Sequence, residues 1–176
     1  MTETLTRRWT VVASLSCAGF AVRNLGIRTV TGRIPIRDAS VDVEGGGRPV
    51  TVRADLDLAG IDTGNARRDR DLAKPRLLDT GKYPVLAFAA TAGSPDGTGW
   101  ELPGVLTAHG ASIDVVLAAE VLQRGDEVTV RARTWFDRRD LGVTVPRFFI
   151  GRRIDVTIDA VLRPASSPSS GPPAQP

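Results

Sequence analysis

Apolar and polar side chains alternate with a period of two along most of this chain, and that rhythm limits what it can fold into. Across residues 49–59, Val50, Val52, Ala54, Leu56 and Leu58 share one parity, while Thr51, Arg53, Asp55 and Asp57 share the other. Successive side chains of a strand point to opposite sides of a sheet, so this segment predicts a half-buried strand. The rhythm returns in Val128, Val130, Ala132, Thr134 and Phe136, and again in Ile154, Val156, Ile158, Ala160 and Leu162. Leu102, Leu106 and Ala108, then Ile113, Val115 and Leu117, add two more strands. Glycine-rich turns at 45–47, 93–97 and 125–126 separate these runs.

The opening strand, roughly 9–23, changes parity partway. Trp9 and Val11 lie on one face and Ala18, Phe20 and Val22 on the other, so a bulge or corner is expected between Val12 and Ser16. Residues 61–83 show no alternation and are rich in charge. Asn65 is placed to cap a short helix over 66–74, which Pro75 would end. Leu72, Leu77 and Leu78 give this excursion an apolar side that must rest on the sheet. The reading is all-β, about eight strands, with the helical excursion between the third and fourth. Eight antiparallel strands closed on themselves leave an interior that is filled by side chains or holds one small ligand. The pattern by itself fits a barrel or a sandwich.

A chain of 176 residues suits one domain. It divides into an extension at 1–8, a folded unit at 9–163 and a Pro/Ser-rich tail at 164–176. The tail has nothing to bury and is expected to be disordered. The net charge of +3 is small and both signs alternate along the chain, which argues against a nucleic-acid partner. One cysteine, Cys17, excludes an internal disulfide and a paired-cysteine zinc knuckle. One histidine, His109, leaves no His-rich metal site, and the carboxylate spacing proposes none. No metal and no cofactor are expected.

Arg7 and Arg8, followed by the apolar run 9–22, mimic an export leader. Ser14 and Leu15 fit a lipoprotein cleavage site poorly, and the run is too short to span a bilayer. It is read as the first strand. The expected location is therefore cytoplasmic, without stable membrane insertion.

Four ordered stretches go further than the pattern. Trp9, Ser16, Phe20, Val22, Arg23, Asn24 and Gly26 open the chain. Ile61-Asp62-Thr63-Gly64-Asn65, Arg68-Asp69, Leu72, Asp79, Lys82-Tyr83-Pro84 and Phe88 follow in the middle. Gly104, Leu106-Thr107, His109-Gly110 and Val115 form a hairpin motif, and Arg138, Asp140, Gly142, Ile150 and Gly151 precede the closing strand. Together, over about 9–163, they resemble the YceI-like family, whose members are lipocalin-like barrels holding a polyisoprenoid chain. Val12, Leu15, Asp71, Ile113 and Asp114 stand where that family usually has Asp, His, a second His, Arg and Pro.

The resemblance implies a deep apolar tunnel carrying an isoprenoid or a quinone tail, without catalysis. A prenyl chain offers no hydrogen bonds, so its affinity comes from burial, about 0.8 kcal/mol per methylene, offset by ordering the chain. The expected inward residues begin with Ala18, Phe20 and Val22 of the first strand and Val52, Ala54 and Leu56 of the third. Leu72, Leu77 and Leu78 close over them, followed by Leu86 and Phe88. Leu106, Val115, Leu117, Val130, Phe136 and Val156 complete the set. Small residues such as Ala18, Ala54 and Ala132 would leave space. Ser16, Arg68, Asp69, Asp71, Asp79 and Arg138 are candidates for a polar mouth; the plainer alternative is that Arg68 pairs with Asp69 to pin the excursion to the rim. His109 suits packing at a strand junction, with no nucleophile motif beside it. Trp9, Trp100 and Trp135 are expected in the core or at the rim. Two rival readings are an enzyme using the cavity and a side-chain-filled scaffold that binds proteins through its rim. A homodimer is left open.

Overall fold

The computed structural model describes residues 6–24, 28–145 and 150–166. Its strands are β1 (Arg7–Val11), β2 (Cys17–Asn24), β3 (Arg28–Ile34), β4 (Ile36–Val43), β5 (Pro49–Asp57), β6 (Val85–Ala90), β7 (Ser94–Asp96), β8 (Gly99–Ala108), β9 (Ala111–Arg124), β10 (Glu127–Asp137) and β11 (Arg153–Pro164). The helix α1 (Ala66–Leu72) lies between β5 and β6. β1, β4, β5, β6, β8, β9, β10 and β11 pair antiparallel in that order, and β11 pairs back onto β1, so the wall closes. Towards the end that carries α1, β2 takes the place of β1 beside β11, and β3 pairs with β2. β1 and β2 are thus one broken stave, β3 and β4 another. The barrel has eight staves, with α1 after the third.

The break in the first stave is the corner that its parity change predicts. A 3-10 turn, Ala13–Leu15, interrupts the strand. Ser16 Oγ donates to the Val12 carbonyl at 2.8 Å and accepts from the Val161 amide at 2.9 Å, so a side chain supplies the ladder bond that the turn removes. Trp9 before the turn and Ala18 and Val22 after it are all buried. The second stave is interrupted at Pro35, between β3 and β4, where the chain has no amide to donate. The Pro35 carbonyl still accepts from the Asp57 amide at 2.8 Å.

The wall starts at Arg7, opposite Val43, within the segment expected as an extension, and runs to Pro164. The tail from 167 onward lies outside the described residues. No helix among the described residues is long and apolar enough to cross a membrane.

Asn65 Oδ1 accepts from the Arg68 amide at 3.1 Å and starts α1 as expected. The helix stops at Leu72, short of Lys74, because a residue preceding proline is pushed out of helical geometry. Asn65→Ala should cost about 1 kcal/mol of local stability. The effect would be read as lost amide-exchange protection across the helix with the strands unchanged; unaltered helix exchange would refute the cap.

Candidate functional site

Two cavities occupy opposite ends of the barrel, and no residue lines both. The larger, about 400 Å³, lies at the end away from α1. Small residues that neighbour one another across the ladders, two alanine pairs and one alanine–valine pair, make the room. Ala39 pairs with Ala54, Ala119 with Ala132, and Ala160 with Val130. Trp9, Trp100, Leu102, Leu117 and Leu162 complete an apolar lining. The polar residues that reach this chamber are Arg7, Glu44 and Gln123, close to strand ends, and Arg53, on the outward parity of β5; all are exposed or half-exposed.

At the other end is an apolar pocket of about 110 Å³. Phe20, Val22, Leu86, Phe136 and Val156 line it from the wall, and Leu72, Leu77 and Leu78 close it from the excursion. Beside it a groove of about 480 Å³ lies between α1, β2, β3, Val145 and Ile150.

Between the two ends, Ala18, Leu56, Leu106 and Val115 line neither cavity and are 0–7 % exposed. The two cavities thus share no lining residue, where a single continuous tunnel was expected, and these four buried residues line neither. Large side chains meet here, Leu56 against Leu86 and Leu106 against Phe88, in contrast to the alanine pairs of the chamber. Of the expected inward residues, Val52, Ala54, Phe88, Leu117 and Val130 face the larger chamber. Phe20, Val22, Leu72, Leu77, Leu78, Leu86, Phe136 and Val156 face the helix end.

The expected polar mouth disperses. Ser16 is part of the wall. Arg68 and Asp69 meet at Thr63, not each other. The Thr63 hydroxyl donates to Asp69 at 2.6 Å and accepts from Arg68 Nε at 2.8 Å. Asp79 adopts a φ of 47° in the turn after α1, where its backbone carbonyl accepts from the Lys82 and Tyr83 amides. Arg138, only 4 % exposed, donates to the carbonyls of Val143, Val145, Ile150 and Gly151. Burial pushes its pKa down. Arg68 and Asp71 alone among the six line the groove, joined by Arg67 and Arg76, which nothing in the sequence pattern separates from the other charges of the excursion.

Trp135 is a second correction. It lies on the outer wall, 57 % exposed, with the Arg153 guanidinium 4.5 Å above its ring, because its parity in β10 is opposite to that of buried Phe136. His109 adopts a φ of 52° and packs its ring 5.2 Å from that of Tyr83. Among the described residues, no three His, Cys, Asp or Glu side chains gather as a metal site.

Arg138 opens a 3-10 turn, Arg138–Leu141, capped by Asp137, whose carboxylate accepts from the Arg139 amide at 3.0 Å. Hydrogen bonds from the Arg139 side chain hold the Asp137 carboxyl at about 2, below its ordinary 3.8. A carboxyl depressed by folding stabilises fully above its unfolded value, and that contribution is lost as pH falls through the folded one. Asp137→Asn should therefore lower the urea midpoint at neutral pH, and the gap to the parent should close as pH falls from 3.8 to about 2. A gap of constant size across that window would rule out the ion-pair account.

Comparison with known proteins places this architecture. The model of the YceI-like domain matches residues 9–162. Protein YceI of Escherichia coli (strain UMN026) is 31% identical over 86 residues, 49% of this chain and 45% of that protein. UPF0312 protein plu2095 of Photorhabdus laumondii is 29% identical over 110 residues, 62% of this chain and 57% of its own length. The chain spans about half the length of the curated relatives it matches. Among solved structures, BcnA of Burkholderia cenocepacia superposes with a TM-score of 0.70 at 16% identity, covering 86% of this chain and 98% of that one. A polyisoprenoid binding domain from Saccharophagus degradans gives 0.65 at 15% identity, covering 89% and 98%. The matched residues run from Trp9 in β1 to Leu162 in β11, almost the whole closed wall, and the chain belongs to the YceI-like family.

Proposed function

We propose that the protein is a non-catalytic carrier of an elongated apolar molecule, an isoprenoid or a quinone tail, seated in the chamber away from α1. The observation that carries this reading is the alanine-lined void of about 400 Å³ inside the closed wall. That volume falls within the roughly 300–1,000 Å³ typical of small-molecule sites. A barrel filled by its own side chains would have no such space. Polyisoprenoid binding by the Saccharophagus domain, which shares this fold, supports the same ligand class. Carriage is favoured over catalysis because the polar residues that reach the chamber are exposed or half-exposed, while its buried lining is apolar.

Organic extraction of the purified protein, followed by mass spectrometry, should release an apolar chain. Trp9 and Trp100 line the chamber and give a second readout. Titration with geranylgeraniol should change their fluorescence saturably. An empty extract together with a flat titration would refute the proposal.

A further inference from the structure

The groove beside α1 is a different kind of site from the chamber at the far end. Its floor is apolar, formed by Phe20, Val22, Leu72, Leu77 and Ile150, and the same five residues line the 110 Å³ pocket. The groove and the pocket therefore adjoin. Three guanidiniums, Arg67, Arg68 and Arg76, line the groove, against one carboxylate, Asp71. That carboxylate is already engaged by Lys74 in an ion pair. The hydrogen bond from Lys74 holds its pKa below the ordinary value, and the fields of Arg67 and Arg76 act in the same direction. Arg68 is held in place by Thr63, whose carbonyl accepts from its Nη2 at 2.9 Å. Arg67 and Arg76 form no ion pair among the described residues.

We infer that this groove binds the anionic head of a single-chain amphiphile, a phosphate or carboxylate among Arg67, Arg68 and Arg76, with the first part of the tail in the adjoining apolar pocket. Guanidinium forks match such oxyanions through paired, charge-assisted hydrogen bonds, and an apolar floor beside them excludes ligands that are polar throughout. A free inorganic anion would gain the first contribution and not the second. A neutral alcohol of the same length would gain the second and not the first.

The site stands apart from the far chamber, so the two readings can fail separately. Dodecyl phosphate, dodecanoate, dodecanol and inorganic phosphate, all below micelle-forming concentrations, are titrated calorimetrically into the full-length protein. Dodecyl phosphate and dodecanoate should bind at least about ten-fold more tightly than dodecanol, with inorganic phosphate weaker still. The double variant Arg67→Gln/Arg76→Gln, two exposed positions whose loss leaves the core untouched, should erase the preference by about ten-fold while dodecanol affinity and the extracted lipid of the far chamber stay as in the parent. The proposal is overturned if the alcohol binds as tightly as the two anions, or if the double variant keeps the preference. An empty far chamber with an arginine-dependent preference intact would sink only the carrier reading. A phosphate-only preference would assign the head to phosphate, and equal binding of both anions to oxyanions generally.

Discussion

Ala54→Trp is expected to reduce the apolar material extracted from the purified protein by about ten-fold or more, with the barrel still folded. Ala54 lies between Ala39 on β4 and Phe88 on β6, on the wall of the 400 Å³ chamber. An indole there occupies the volume a ligand would take. A ten-fold loss is about 1.4 kcal/mol, the burial of fewer than two methylenes, so even partial exclusion of a chain is enough. Extra bulk in a filled core costs about 1–3 kcal/mol, but here it enters a void and the urea midpoint should fall by less. Ala118→Trp, on the outward parity of β9, serves as the control and should leave lipid content unchanged. If Ala54→Trp retained its full lipid load, the chamber would not be where the ligand sits.

Arg138→Met should give the largest loss of stability, at least about 3 kcal/mol in urea unfolding. The guanidinium satisfies four backbone carbonyls at once, those of Val143, Val145, Ile150 and Gly151. Methionine fills much of the same volume and satisfies none of them, leaving acceptors stranded away from water. Arg138→Lys should rescue only part of the loss, because an ammonium is a compact donor that cannot span four acceptors on a planar fork. Val143, Val145 and Ile150 line the helix-end cavities, so the variant should also weaken dodecyl phosphate binding while geranylgeraniol still perturbs Trp9 and Trp100. A loss below about 1 kcal/mol would show that these carbonyls find other donors.

Much of the wall was legible before any coordinates. The alternation in 49–59 is β5 and its continuation into the 3-10 turn Leu58–Gly60, and the parity switch between Trp9 and Ala18 is the corner spliced by Ser16. Asn65 capped the helix it was expected to cap. Each of these is decided by neighbours a few residues apart, where the two-residue period, a missing amide or a capping side chain acts directly.

The interior was not legible in the same way. Parity told which side chains point inward, and for Val52, Leu56, Phe88 and Leu106 it did so without saying that two face or fill different parts of the barrel. Nothing in the pattern separates Arg67 and Arg76 from the other charges of their run, and Arg138, a mouth candidate by sequence, is a clamp on carbonyls. Local periodicity, turn chemistry and the ordered motifs determined the eight staves, their inner faces and the family. Only the closed wall decided where space remains, because that depends on cross-strand register, which sets Ala39 against Ala54 and Ala119 against Ala132 but Leu56 against Leu86. A void is a property of side chains brought together from distant parts of the chain, and no stretch of sequence contains it.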